Sequence, residues 1–217
     1  MNAPLPSTEK KRLKVLWQYD VLDTVPEAVF DDLTELAARI CEAPIALISL
    51  VDEDRQWFKS KVGISINETS RDLSFCAHAI RQEGLFIVPD ATRDARFAKN
   101  PLVVSDPKIR FYAGAPLITP DGYALGTLCI IDKVPRELRH DQQQALRVLA
   151  RHVMTQLELR RQSKDAAQSK PAGESVSREL AEARKEIKSL KRQLAELKKK
   201  TKPSARKPAG RIAAKRR

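Results

Sequence analysis

The chain has 217 residues with 40 Lys+Arg against 28 Asp+Glu, a formal charge of +12. Cut at Gln162, the first part holds 22 basic and 22 acidic side chains and the remainder holds 18 and 6, so the whole excess belongs to a tail or partner surface rather than to the fold. The longest apolar stretch, Pro44–Val51, is far short of the roughly 20 residues of a membrane span, no secretory h-region is apparent, and Cys41, Cys76 and Cys129 form no CxxC pair, which argues against zinc and for a reduced, cytoplasmic setting.

Length favours one globular domain of about 150 residues plus an appendage. Thr8–Tyr19 reads as a short amphipathic helix through Leu13, Leu16 and Trp17. After a turn at Asp23–Pro26, a core-facing helix over Pro26–Cys41 is expected from Val29, Phe30, Leu33, Leu36, Ala37 and Ile40. Ile45–Val51 is a continuous apolar run, the mark of a buried strand, and Arg55–Val62 alternates like a half-buried strand paired back on it. Helical spacing follows over Asp72–Gln82 (Leu73, Cys76, Ala77, Ile80), then a short strand over Leu85–Val88. Ala91–Ile109 is a long polar connection with a short helix expected around Phe97, and connections of this length in compact domains are commonly functional. Phe111–Ile118 and Tyr123–Ile131 flank the turn Pro120-Asp121-Gly122 as a hairpin. A long helix over Leu138–Gln162, with Leu138, Ala145, Leu149, Val153 and Leu157 inward, completes the set. Tight hairpins imply an antiparallel sheet with helices packed on it, an α+β domain over 1–162.

Beyond Gln162 the texture changes. Residues 163–175 read as a linker or helix break, with Pro171 and Gly173. Over 176–200, Val176, Leu180, Ala183, Ile187, Leu190, Leu194 and Leu197 recur alternately at four and three, a heptad seam. Glu179 with Arg184 and Glu186 with Lys191 supply flanking opposite charges at the spacing of a parallel two-stranded coil, which implies a homodimer. A single amphipathic helix folded onto the domain is the other reading of the same pattern. Residues 201–217 are expected to be a disordered basic tail. From Lys198 onward the cations are Lys198, Lys199, Lys200, Lys202, Arg206, Lys207, Arg211, Lys215, Arg216 and Arg217, with no acidic residue among them. These could meet nucleic-acid phosphates without reading sequence, or an acidic protein. No aromatic follows Gln162 to stack on single-stranded bases.

A search for catalysis finds no GxSxG, Walker A, GxGxxG or HExxH pattern, and His78, His140 and His152 lack partners at metal-ligand spacing. Cys76-Ala-His78 could pair a thiol with a base, but on a helix i and i+2 face apart, so a packed core cysteine is expected at 76, and again at 129. No catalytic constellation emerges.

Ile45–Asp52, Gln56–Ser60, Arg71–Ile80, Val88–Thr92, Phe111–Leu117 and Leu125–Asp132 resemble, in order and spacing, the GAF domain, notably the subgroup at the front of bacterial sensor histidine kinases and diguanylate cyclases. The resemblance covers about residues 8–160. It implies a small-molecule sensory module with a cavity under the long loop, near Phe75, Cys76, Ala79, Asp90, Phe97, Tyr112 and Gly114, and terminal helices used for dimerisation and output. The ligand or cofactor is unknown. The motif of the cyclic-nucleotide-binding members cannot be placed, and Cys76-Ala-His78 breaks the Cys-His context of the bilin-binding members. The methionine-sulfoxide-reducing members are the enzymatic alternative, though their glycine-rich motifs are not recognisable. No kinase or cyclase domain follows, so a non-catalytic regulatory module is expected, with a nucleic-acid-associated protein anchored by its tail as the alternative.

Overall fold

The structure, a computed structural model, describes residues 8–168 and isolated helical positions at 182, 184, 185, 188 and 189. The chain divides into two compact units, 1–165 and 166–217. The heptad seam and the basic tail lie outside the described residues.

In the first unit six strands form one antiparallel sheet: β1 (Ile45–Val51), β2 (Arg55–Val62), β3 (Glu68–Ser70), β4 (Phe86–Val88), β5 (Phe111–Ile118) and β6 (Ala124–Asp132), in the order β3-β2-β1-β6-β5-β4. The apolar run of β1 lies near the centre, paired with β2 and β6, and is buried throughout. The β5–β6 hairpin turns at Gly122, whose φ of +82° suits a residue without Cβ. β3 is an addition to the expected elements. Its three residues are polar and partly exposed, so no alternation announces them.

One face of the sheet carries α1 (Glu9–Gln18), α2 (Ala28–Cys41) and α5 (His140–Gln168). Leu16, Phe30, Ala37, Leu149, Val153 and Leu157 pack there against Ile48, Leu50, Leu128 and Ile130. The helices are rotated from the expected seams. Trp17 is half exposed and donates Nε1–H to Asp52 Oδ1 at 3.0 Å, and Val29 and Leu36 face outward. Thr34 takes a core position instead, its hydroxyl bonded to the Phe30 carbonyl at 2.8 Å, and Leu146 rather than Ala145 points inward. Helix α5 also continues six residues past Gln162, so the first half of the expected linker is helical.

β2 is covered on both faces rather than half-buried. Lys59 is enclosed, donating to Thr24 Oγ1 (2.9 Å), the Val25 carbonyl (2.8 Å) and Glu27 Oε1 (2.6 Å). Arg160 of α5 reaches the same carboxylate at 2.9 Å. Burial alone would raise the Glu27 pKa, but hydrogen bonds from Lys59 and Arg160 outweigh it and hold the carboxyl low.

The opposite face is roofed by short pieces: a 3₁₀ turn (Arg71–Leu73), α3 (Phe75–Ala79) and α4 (Pro101–Val104) within the 91–109 connection. The expected continuous helix over 72–82 is broken at Ser74. That residue adopts an extended conformation and caps α3, its Oγ accepting from Ala77 N at 3.0 Å and donating to Gln56. The short helix of the long connection lies at 101–104, four residues later than expected, because Asn100 caps it and Pro101 fills its first position.

Candidate functional site: the loop-side core

Residues from α3, the 91–109 connection and strands β4–β6 build a second core beneath this roof. Phe97 is fully buried and stacks on Phe75 with ring centroids 3.9 Å apart and planes 10° apart. Tyr112 also stacks on Phe75 at 5.3 Å, and Phe86 meets both Phe97 and Tyr112 at about 6 Å. The Arg96 guanidinium covers the Phe86 ring at 4.8 Å and is held by Asp94.

The connection is tied down at both ends. Ala91 N–H donates to the Arg110 carbonyl (2.6 Å) and Ile109 N–H to the Leu102 carbonyl (2.8 Å). Asn100 joins it to the roof, its Nδ2 donating to the Leu73 carbonyl at 2.9 Å.

At the floor lies a polar cluster in otherwise apolar surroundings. Cys76 and Cys129 bring their sulfurs to 3.8 Å. The Tyr112 hydroxyl donates to Cys76 Sγ at 3.2 Å and the Thr127 hydroxyl at 3.1 Å. Register explains the meeting: Cys129 sits between Leu47 of β1 and Gly114 of β5, while Thr127 faces Ser49. Gly114 is required here, since a Cβ on it would fall on the Tyr112 hydroxyl and ring.

Burial opposes ionisation of Cys76. Hydrogen bonding from Cys129, then Thr127 and Tyr112, outweighs it and favours the thiolate. Cys129 is pushed the other way, first by its bond to Cys76 and then by burial, so it is the protonated partner. Burial, then the two sulfurs, keeps Tyr112 a phenol and therefore a donor. His78 does not serve Cys76. Its ring stands edge-on to Phe97 at 4.8 Å, and burial followed by Arg96 and Arg81 lowers its pKa. Cys41 belongs to the helix-side core, where burial raises its thiol to about 11.

Of the seven family-implied pocket residues, Phe75, Cys76, Ala79, Phe97, Tyr112 and Gly114 are buried on this side. Asp90 is a turn residue, its carboxylate accepting from Thr92 N–H (3.0 Å) and Oγ1–H (2.7 Å). Sequence reasoning missed Thr127 and Ser49, whose signal was a hydroxyl inside an otherwise apolar strand. Open clefts also lie elsewhere, among them one of about 430 Å³ between α5 and β5, beside Arg147 and Met154, and one of about 510 Å³ beside Lys59 and Asp31. Among the described residues, no three His, Cys, Asp or Glu side chains gather to hold a metal, and no helix is long and apolar enough to cross a membrane.

Comparison with known proteins agrees with this architecture. A cyclic di-GMP phosphodiesterase of Pseudomonas aeruginosa is 46% identical over 135 residues, 62% of this chain and 23% of that protein. The chain therefore spans less than a quarter of that relative's length. Among solved structures, the GAF domain of an Acinetobacter phosphoenolpyruvate-protein phosphotransferase superposes with a TM-score of 0.53 at 16% identity, over 71% of this chain and 95% of that one. The blue-light-absorbing PixJ GAF domain of Thermosynechococcus elongatus gives 0.54 at 14% identity, over 77% and 97%. At these identities they show the fold alone. The GAF domain family model matches residues 25–157, well over half the chain, and the chain belongs to that family, as a signalling module.

Proposed function

We propose that this chain is a cytoplasmic, non-catalytic sensory module in which a small molecule held on the loop side of the sheet repacks α3 and the 91–109 connection. One observation supports it above others: six of the seven family-implied residues are buried together under a roof of helices only five and four residues long. Short elements rearrange locally at lower cost than long ones. A ligand acts by binding the rearranged state better than the packed one, which here means holding Phe97 away from Phe75. The change would pass through β5 and β6 to α5, and so to a dimer built with the 176–200 coil. The resemblance to part of a cyclic di-GMP phosphodiesterase supports a role connected with the turnover of that messenger.

Native mass spectrometry of the full chain tests the reading, with a dimer carrying a retained small molecule as the expected result. Metabolites added to the protein should slow amide exchange in 75–79 and 97–109. A bare monomer, unresponsive to a metabolite panel including cyclic di-GMP, would overturn it.

The charge distribution favours a second role for the tail. Ten cations over 198–217 suit sequence-independent, salt-sensitive binding to duplex DNA or RNA. Retention on duplex DNA should fall steeply with salt and vanish when 198–217 are deleted. Retention that survives the deletion would contradict this role.

A further inference from the structure

The thiol pair at the floor of the loop-side core goes beyond ligand sensing and does not depend on it. Two cysteines distant in sequence, one on α3 and one at the centre of β6, place their sulfurs 3.8 Å apart. A disulfide needs about 2.05 Å, so closing it requires the two sulfurs to approach by a little under 2 Å. The two sulfurs are chemically unequal: Cys76 accepts hydrogen bonds from the Tyr112 and Thr127 hydroxyls, whereas Cys129 is paired with the Cys76 sulfur. An attacking sulfur and a resolving sulfur are thus already distinguished. Cys41 lies in the core on the other face of the sheet and serves as an internal control.

We infer that Cys76 and Cys129 form a redox-responsive modification site, closed to a disulfide by a hydroperoxide small enough to pass beneath a displaced Phe97. The Cys76 thiolate attacks the hydroperoxide; the O–O bond breaks, and the leaving alkoxide or hydroxide takes up the proton Cys76 has shed. Cys76 becomes a sulfenic acid. Cys129 then attacks that sulfur; the S–S bond forms, the S–O bond breaks, and the hydroxide departs as water with the Cys129 proton. Two thiols and one hydroperoxide give one disulfide, one alcohol and one water, or two waters with hydrogen peroxide. The bond fastens α3 to the sheet and removes the thiolate that Tyr112 and Thr127 address. Oxidation therefore resets the packing of the loop side.

The test uses the full chain, reduced, treated with hydrogen peroxide, quenched in acid, alkylated under denaturing conditions and digested with trypsin. The expected product links peptide 72–81 to peptide 111–133, lighter by two hydrogens than their sum, with Cys41 in peptide 40–55 alkylated and the link reversed by dithiothreitol. Cys129→Ser should leave Cys76 as a sulfenic acid that dimedone traps, and Tyr112→Phe should slow the link several-fold. Three alkylated cysteines after peroxide exposure that oxidises free glutathione would overturn the inference. So would oxidation of Cys41 at the same rate. Mapping the wild-type chain decides the matter even where a variant fails to fold.

Discussion

The two faces of the sheet are packed on different principles. The helix side is closed by helices of 10, 14 and 29 residues whose apolar side chains interlock with β1 and β6. Its charged groups are paired at the margin: Glu27 with Lys59 and Arg160, and Glu9 with Arg12 and Arg71. The loop side is closed by helices of five and four residues and holds stacked rings, two thiols and the hydroxyls of Tyr112, Thr127 and Ser49. Long packed helices move as units, whereas short capped pieces can open separately. One face is therefore suited to hold the fold, and the other to rearrange locally.

The largest expected effect comes from cutting into the helix side. Phe30→Ala should cost about 3–5 kcal/mol of unfolding free energy in urea, yet leave the rate of Cys76 oxidation in the folded fraction unchanged. Glu9→Ala should cost about 3 kcal/mol. It strands the Arg12 and Arg71 guanidinium groups, which now share that carboxylate at 2.7 Å and also bond the Val51 and Asp52 carbonyls. On the loop side Gly114→Ala should cost about 1–3 kcal/mol by displacing Tyr112, and it should change thiol reactivity, which Phe30→Ala leaves alone.

Acid should act on the marginal ion pairs next. Glu9 and Glu27 hold their pKa below the ordinary 4.5, burial being outweighed by their Arg and Lys partners. The folded chain binds fewer protons than the unfolded one there, so this stability is present above pH 4.5 and is lost as pH falls through and below it. Melting temperatures between pH 7 and pH 3 should drop, and less steeply in Glu27→Gln. The smallest effect belongs to Tyr112→Phe, about 1 kcal/mol in stability. Its signature is slower oxidation of Cys76 rather than a lower melting point.

The strands were legible where one chemical pattern decided them. β1, β2 and β5 have the bounds that their apolar runs and alternation suggest. The helices were legible in existence but not in rotation, because Thr34 can be buried once its hydroxyl bonds a local carbonyl, and periodicity does not count it as apolar. The break at Ser74 had a signal, a capping residue ahead of Phe75-Cys76-Ala77, that the apolar spacing across it obscured. The site was less legible. Family resemblance brought Cys76, Phe97 and Tyr112 to one place, but the Cys76–Cys129 approach depends on strand register, and the placement of the Tyr112 hydroxyl beside it depends on the missing Cβ of Gly114. Asp90 stays apart because its carboxylate is committed to a local turn.

The difference between the two faces is tested most directly by peptide-resolved amide hydrogen exchange on the reduced full chain without added ligand. The expected result is that 75–79 and 97–109 exchange through a local opening much less costly than global unfolding, while β1, β6 and the buried face of α5 exchange only on global unfolding. Equal protection on both faces, rising and falling together with denaturant, would contradict it.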